Sequence, residues 1–434
     1  MPRQLDREIF ALAVPALGAL IAEPLFVATD TALIGHLGAD PLAGIGIAGT
    51  ILQTAVGLLV ILAYSTTPTV ARRLGAGDLP GAVQAGIDGL WLAAGIGVAL
   101  AAVGLLTAPS LVDAFGASAA VSQQATTYLT WALPGLPGML VVIAATGLFR
   151  GLQDTRTPLI IAGVGFAANA ALNALLIYGL GLGIAGSAIG TTIAQLGMAV
   201  VSVAIAVRTA SRLGVPLRPG LDGVVGTAAA GGWMLLRTAS LRVALVATAV
   251  AATRAGTVEL AATQVLLTIY FTAALALDAF AIAGQALIGH GLGAADLARV
   301  REVMRRLILW GVLSSVALGV LVAALSPVLG AVFTSDEAVR AAIQPGLLVL
   351  AASLPIAAVV FVLDGILIGA GDGRYLAFTG ILNLAAYLPL LWLGANAASP
   401  VVGIQLAFCV GYIAARCVTL SLRARGTRWM RVDV

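Results

Sequence analysis

The sequence contains no lysine and few charges of any kind. Charged side chains are 10% of its 434 residues, against about a quarter in a soluble domain. That shortage excludes a soluble domain of any size, and the longest hydrophilic stretch runs only from Arg208 to Asp222. There are two cysteines, Cys409 and Cys417. Eight residues apart on one predicted helix, they are separated by about 12 Å, too far for a disulfide, and read as packing residues. There are two histidines, His36 and His290, at equivalent ends of spans 1 and 8, and neither has the company a metal needs. No metal or cofactor is expected. The chain also lacks a P-loop Lys-Ser/Thr, a HExxH zinc pair, a GxSxG elbow and paired Asp-rich motifs. An enzyme is therefore not expected, and a membrane-embedded enzyme or sensor stands as the alternative from another class.

What fills the sequence instead is apolar. Hydrophobic residues make up 60% of the chain and the mean hydropathy is +1.06. Apolar runs of roughly 20 residues, long enough to cross a bilayer as helices, recur from end to end. The fold class is an all-α polytopic membrane protein, because only helices and closed barrels satisfy their backbone groups in lipid. Twelve spans are predicted, at 9–34, 42–70, 84–107, 121–149, 158–179, 186–207, 224–252, 258–288, 304–325, 339–369, 376–394 and 402–422. The N-terminal run after Arg3 and Arg7 is too long for a signal peptide and is taken as the first span.

The two halves repeat. Leu74-Gly75-Ala76-Gly77-Asp78 returns 218 residues later as Leu292-Gly293-Ala294-Ala295-Asp296. The same shift carries Gly38 onto Gly256, Pro109 onto Pro327, Pro137 onto Pro355, Gly151 onto Gly369 and Asp154 onto Asp372. Six spans per half make a parallel repeat about an axis along the membrane normal, with substrate expected at the seam. The predicted lobes are 1–215, spans 1–6, and 216–434, spans 7–12, joined through Pro216, Pro219 and Gly220. Asp78 and Asp296 read as caps of the helices that follow them. All 23 basic residues are arginine, a matter of genome composition, and they gather on alternate connections and at both termini. By the positive-inside rule both termini are cytoplasmic, and nucleic acid is not a partner.

Ionisable groups inside spans are costly and so point to function. Asp30 on span 1 is the foremost candidate, beyond Pro15 and Pro24, which free carbonyls and make a hinge. Low dielectric penalises a carboxylate's charged form, which suits a proton carrier. Glu23 on the same helix is either a pair partner or a cavity-lining group. Asn169 and Asn173, four residues apart on span 5, share a face, and Thr191 and Thr192 lie on span 6. These groups can hydrogen-bond a carboxylate or hold a small cation; interhelical glue is an equal reading on spacing alone. Arg237, Asp278 and Asp364, on spans 7, 8 and 10, are expected to pair, statically or as a gate. Arg242 and Arg416 also fall within spans. Asp88, near a span boundary, is expected to be solvated.

The segments ALAVPALGALIAEPLFVATDTALIGHLGADPLAG, LDAFAIAGQALIGHGLGAAD and VLDGILIGAGD resemble the first, eighth and tenth helices of multidrug and toxic compound extrusion (MATE) transporters of the DinF-like branch. The resemblance covers essentially the whole chain. It implies two six-helix lobes and rocker-type export of cationic or amphipathic drug-like molecules from a bacterial inner membrane, by a monomer in exchange for H⁺ or Na⁺. It places the ion site at Asp30, Asn169, Asn173 and Thr191 or Thr192, and the helix-1 kink at Pro15. Many relatives carry Asp where this chain has Asn173, and a family Glu on helix 7 is missing near Arg237. Losing a hard anionic ligand favours H⁺ over Na⁺. A lipid-linked precursor flippase of the same superfamily is the alternative, which Arg237 and Arg242 keep open.

Overall fold

The computed structural model describes residues 2–59 and 61–432, and every regular element among them is helical. In the first half these are α1 Pro2–Gly35, α2 Ala39–Leu59, α3 Ile61–Gly75, α4 Leu79–Asp113, α5 Ala119–Ala132, α6 Leu136–Gly151, α7 Arg156–Ala174 and α8 Gly183–Arg212. In the second half they are α9 Leu221–Ala255, α10 Thr257–Gly293, α11 Leu297–Phe333, α12 Glu337–Gly369, α13 Gly373–Ala395, α14 Pro400–Leu406 and α15 Ala414–Arg425. Eleven helical stretches among the described residues are long and apolar enough to cross a membrane. The remaining predicted span, 42–70, is divided at residue 60, which lies outside the described residues, with α2 and α3 on either side.

Three predicted spans change helical pitch along their length. Span 121–149 tightens to a 3₁₀ turn at Leu133–Gly135, where Pro134 and Pro137 remove two N–H donors. Span 158–179 loosens into a π turn at Leu175–Gly179, and a second π turn, Ala407–Ile413, joins α14 to α15. Such widened turns often mark functional positions.

The repeat is visible in the local geometry. The Asp78 carboxylate caps α4 by accepting from the Gly81 N–H at 2.8 Å, and Asp296 caps α11 through Arg299 at 2.9 Å. The residue before each cap turns left-handed: Gly77 with φ 80° and its counterpart Ala295 with φ 54°. The alanine bears a steric cost of roughly 1–2 kcal/mol that the glycine avoids. Helix contacts repeat as well. A Cβ on Gly151 would lie 2.9 Å from the Thr67 carbonyl oxygen, and one on Gly369 would lie 2.7 Å from that of Gln285. Thr67 and Gln285 are themselves 218 residues apart, so the same small-residue crossing is built twice.

The chain resolves into two compact units, Val14–Gly231 and Met1–Ala13 with Gly232–Val434. This differs from a simple cut at 215: each unit's leading helix begins in the other unit. Residues 13 and 231, where α1 and α9 pass from one unit to the other, are also 218 apart. Side-chain contacts explain the exchange. Within the first unit, the Asp88 carboxylate on α4 accepts the Gly220 N–H at 2.8 Å and Gln84 Nε2 at 2.9 Å, just where α9 starts. Trp91 Nε1 reaches the Leu217 carbonyl at 2.9 Å. Asp88 is only 2% exposed, so the expectation that it is solvated is corrected. A carboxylate suits this place because the α9 N-terminus offers unpaired N–H groups and the positive end of its dipole. Within the second unit, Asp6 on α1 accepts from Trp310 Nε1 on α11 at 2.9 Å, with Arg306 at 3.8 Å, while Glu8 pairs with Arg299 at 2.7 Å. Phe10 packs edge-on against Phe280 and Trp310.

Candidate functional site

Four helices of the Val14–Gly231 unit converge on Asp30, which is 5% exposed. From α7, Asn173 Nδ2 donates to its Oδ1 at 2.8 Å; from α8, Ser187 Oγ donates to the same oxygen at 2.6 Å. From α5, the Tyr128 hydroxyl donates to Oδ2 at 3.4 Å. Asn169 sits behind: its Oδ1 accepts from Asn173 at 3.1 Å and its Nδ2 donates to Thr191 Oγ1 at 3.1 Å. The four-residue spacing of the two asparagines does put both amides on one helix face. Every donor to Asp30 is neutral. Asn173 is fully buried, and its Oδ1 has no hydrogen-bond partner.

The structure thus brings together Asp30, Asn169, Asn173 and Thr191. It turns Thr192 elsewhere, since Thr192 Oγ1 donates to the Trp131 carbonyl at 2.6 Å. Ser187 and Tyr128, which touch Asp30 directly, were missing from the expected set. Ser187 lies one turn before Thr191 on the same helix face, and that spacing could have flagged it. Pro15 and Pro24 lie inside an α1 that continues unbroken through both. Glu23 is exposed on α1 and makes no ion pair among the described residues.

The Gly232–Val434 part holds a different cluster. Arg237 on α9 engages Asp364 on α12 with two guanidinium nitrogens, one of them Nε at 3.3 Å. Arg416 on α15 approaches the same carboxylate at 3.4 Å. The three side chains are 14%, 10% and 13% exposed. Asp278, the other expected partner of Arg237, is half-buried on α10, and Arg242 is exposed on α9. The shift of 218 sets Thr248 opposite Asp30 and Tyr387 opposite Asn169. Those two bond to each other at 2.6 Å among Phe408 and Tyr412. Where the first half has an acid, the second has an uncharged pair within an aromatic cluster.

An open cavity of about 510 Å³ runs along α5. Asp113, Ser122, Gln123, Thr126, Thr130 and Trp131 line it. The α5 members recur at helical spacing, on the side away from buried Tyr128 and Leu129. A polar face of this kind on a spanning helix suits a water-filled recess better than lipid.

Comparison with known proteins agrees with this architecture. The MatE family model matches residues 15–175 and again 234–393, one copy in each half. The chain is 30% identical over 395 residues to the chloroplastic protein DETOXIFICATION 44 of Arabidopsis thaliana, covering 87% of this chain and 75% of that one. It is 30% identical over 314 residues to the DNA damage-inducible protein F of Escherichia coli K12, covering 69% and 66% respectively. Its fold superposes on the bent form of the Vibrio cholerae MATE transporter VcmN with a TM-score of 0.90, over 99% of both chains at 23% identity.

Proposed function

Because the chain belongs to the MATE family of membrane transporters, which are not enzymes, we propose that it exports cationic or amphipathic small molecules in exchange for protons, with Asp30 as the proton carrier. One observation carries the proton assignment. Among the buried carboxylates, Asp88 faces a helix N-terminus and Asp364 faces two guanidiniums, whereas Asp30 has only neutral donors. Among the described residues, no fixed positive charge in this cluster opposes protonation of Asp30.

The hydrogen bonds supply a mechanism. Ionised, Asp30 accepts from Tyr128, Asn173 and Ser187. Protonated, it becomes a donor, and at least one of those groups loses its acceptor. Half a turn of the Asn173 amide would present the unpartnered Oδ1 to the new O–H. The hydrogen bonds tying α1 to α5, α7 and α8 then differ between the two protonation states. Pro15 and Pro24 leave α1 without two of its own backbone bonds, so the helix can follow that change. Alternating access follows if drug and proton favour opposite states of α1. Sodium is less well served, since Asp30 is the only carboxylate of the cluster among the described residues and the Asn173 amide presents N–H to it. In this reading the protein is a monomer of a bacterial inner membrane with both termini in the cytoplasm.

The test is efflux of a cationic dye from proteoliposomes. An imposed pH gradient should drive export, a sodium gradient at fixed pH should not, and Asp30→Asn should abolish the driven component while the protein still inserts and binds dye. Proton-driven export by Asp30→Asn at the wild-type rate would sink the assignment.

A further inference from the structure

The start of α13 holds an exposed arginine between two aromatic rings. The Arg374 Cζ lies 5.7 Å from the ring centroid of Trp233 on α9 and 5.8 Å from that of Phe378, and the two rings are 5.7 Å apart. The three groups form a nearly equilateral triangle within cation–π reach. Helix packing explains it. A Cβ on Gly373 would lie 3.6 Å from the Trp233 Cβ, so α9 and α13 come close there, and Phe378 follows Arg374 by one turn on the same face. Arg374 is exposed, as are Trp233 at 37% and Phe378 at 53%, and Ile381 and Leu382 continue an exposed apolar stripe along α13. In a chain that spans a bilayer, acyl chains cover such a stripe, and Arg374 stands at its end. Among the described residues no carboxylate pairs with Arg374, and neighbouring Asp372 is taken up by Arg423 at 2.6 Å. Under the shift of 218, Arg374 corresponds to Arg156, which is also exposed, whereas Trp233 and Phe378 correspond to Pro15 and Ile160. The arginine is common to both halves, and the aromatic frame belongs to the second alone.

We propose that Arg374, Trp233 and Phe378 form a binding site for one anionic phospholipid, with the guanidinium on the headgroup phosphate and the two rings against the glycerol and the upper acyl chains. A guanidinium matches phosphate with two parallel charge-assisted donors, and aromatic rings settle at the level where headgroup meets chain. The rings also hold the guanidinium in place, so little side-chain freedom remains to be lost on binding. A choline headgroup brings its own cation towards Arg374, and a headgroup of net negative charge does not, which sets the preference. The distribution of arginines assigns this end of α13 to the cytoplasmic leaflet, where anionic lipids lie. The site is independent of Asp30 and of which cation drives transport.

The test uses the full-length protein in vesicles of dioleoylphosphatidylcholine with increasing fractions of dioleoylphosphatidylglycerol, one lipid or the other carrying bromine on its acyl chains. Bromine quenches tryptophan fluorescence on contact. Subtracting the signal of Trp233→Phe, which keeps a ring at the position, isolates what Trp233 reports. Phosphatidylglycerol is expected to occupy the place beside Trp233 about fivefold in preference to phosphatidylcholine, the bias that one arginine near the membrane surface supplies. Arg374→Gln should bring that ratio to about one, and Arg156→Gln, which removes the matching charge of the first half, should leave it unchanged. A wild-type ratio of about one, or an Arg374→Gln variant with the full preference, overturns the proposal. So does an equal loss in Arg156→Gln, since the preference would then belong to diffuse surface charge. Should Arg374→Gln fail to reconstitute, an electron cryomicroscopy map of the wild type in phosphatidylglycerol nanodiscs decides the matter. Headgroup density against the Arg374 guanidinium is expected, and its absence overturns the site.

Discussion

Replacing Asp364 by Asn should destabilise the protein more than removing either arginine beside it. The reasoning is a count of stranded charges. Asp364→Asn leaves two guanidiniums, 14% and 13% exposed, without the carboxylate both face. Stripping a buried pair of one partner costs about 3–5 kcal/mol, chiefly because the other charge remains. Arg237→Ala also leaves a charge behind, but Arg416 still stands 3.4 Å from Asp364, so a loss of about 1–3 kcal/mol is expected. Arg416→Gln leaves the two-pronged Arg237 contact intact and should cost least of all. The assay is thermal unfolding in detergent. A double-mutant cycle between Arg237→Ala and Asp364→Asn should show coupling of about 0.5–3 kcal/mol, with the double variant recovering part of the Asp364→Asn loss. The same cycle with Asp278→Asn measures what the α10 carboxylate contributes. Additivity of Arg237 with Asp364, or an Arg416→Gln variant as unstable as Asp364→Asn, would refute the reasoning.

Three further outcomes are expected. Asn173→Asp sets a second carboxylate beside Asp30 and should introduce a sodium response in proteoliposome efflux; if the wild type already runs on sodium and the variant only strengthens it, the proton assignment is wrong. Asp88→Ala removes the acceptor for Gly220 and Gln84 and should cost about 1–3 kcal/mol in detergent unfolding, an effect that a solvated side chain would not show. Gly369→Val forces the α12 backbone off Gln285 and should lower stability by about 1–3 kcal/mol, while valine at the open position Gly95 should change little in the same unfolding assay.

The parts legible in the sequence were those that break a rule of membranes. A carboxylate in an apolar helix is conspicuous, so Asp30 stood out, and two asparagines one turn apart stood out on α7. Ser187 and Tyr128 did not, because serine and tyrosine are inexpensive in spanning helices and their importance depends on which way α5 and α8 are rotated. Thr191 and Thr192 show the same limit. Adjacent residues point about 100° apart on a helix, and only the packed helices reveal that Thr191 meets Asn169 while Thr192 meets the α5 backbone. Asp88 misled for another reason. Its partner is a backbone N–H 132 positions away, and hydropathy carries no record of which helix end docks on which side chain. The repeat was legible at every level, because a fixed shift in sequence becomes matched caps and matched glycine crossings in space.

The exchanged helix starts bear on how such a chain is assembled. The start of α1 leaves the ribosome long before its partners, because the side chains that hold Asp6 and Glu8 belong to α11, whose first residue is Leu297. The opening turns of α1 must wait, undocked, until most of the protein has been synthesised and inserted. Residues 219–231 face the opposite situation, since Asp88 and Trp91 are already in place when they emerge. One half is therefore completed from behind and the other from ahead. A gene split between the repeats would yield two fragments that each lack a piece held by the other. Each fragment alone would lack the contacts that its missing helix start makes in the whole chain.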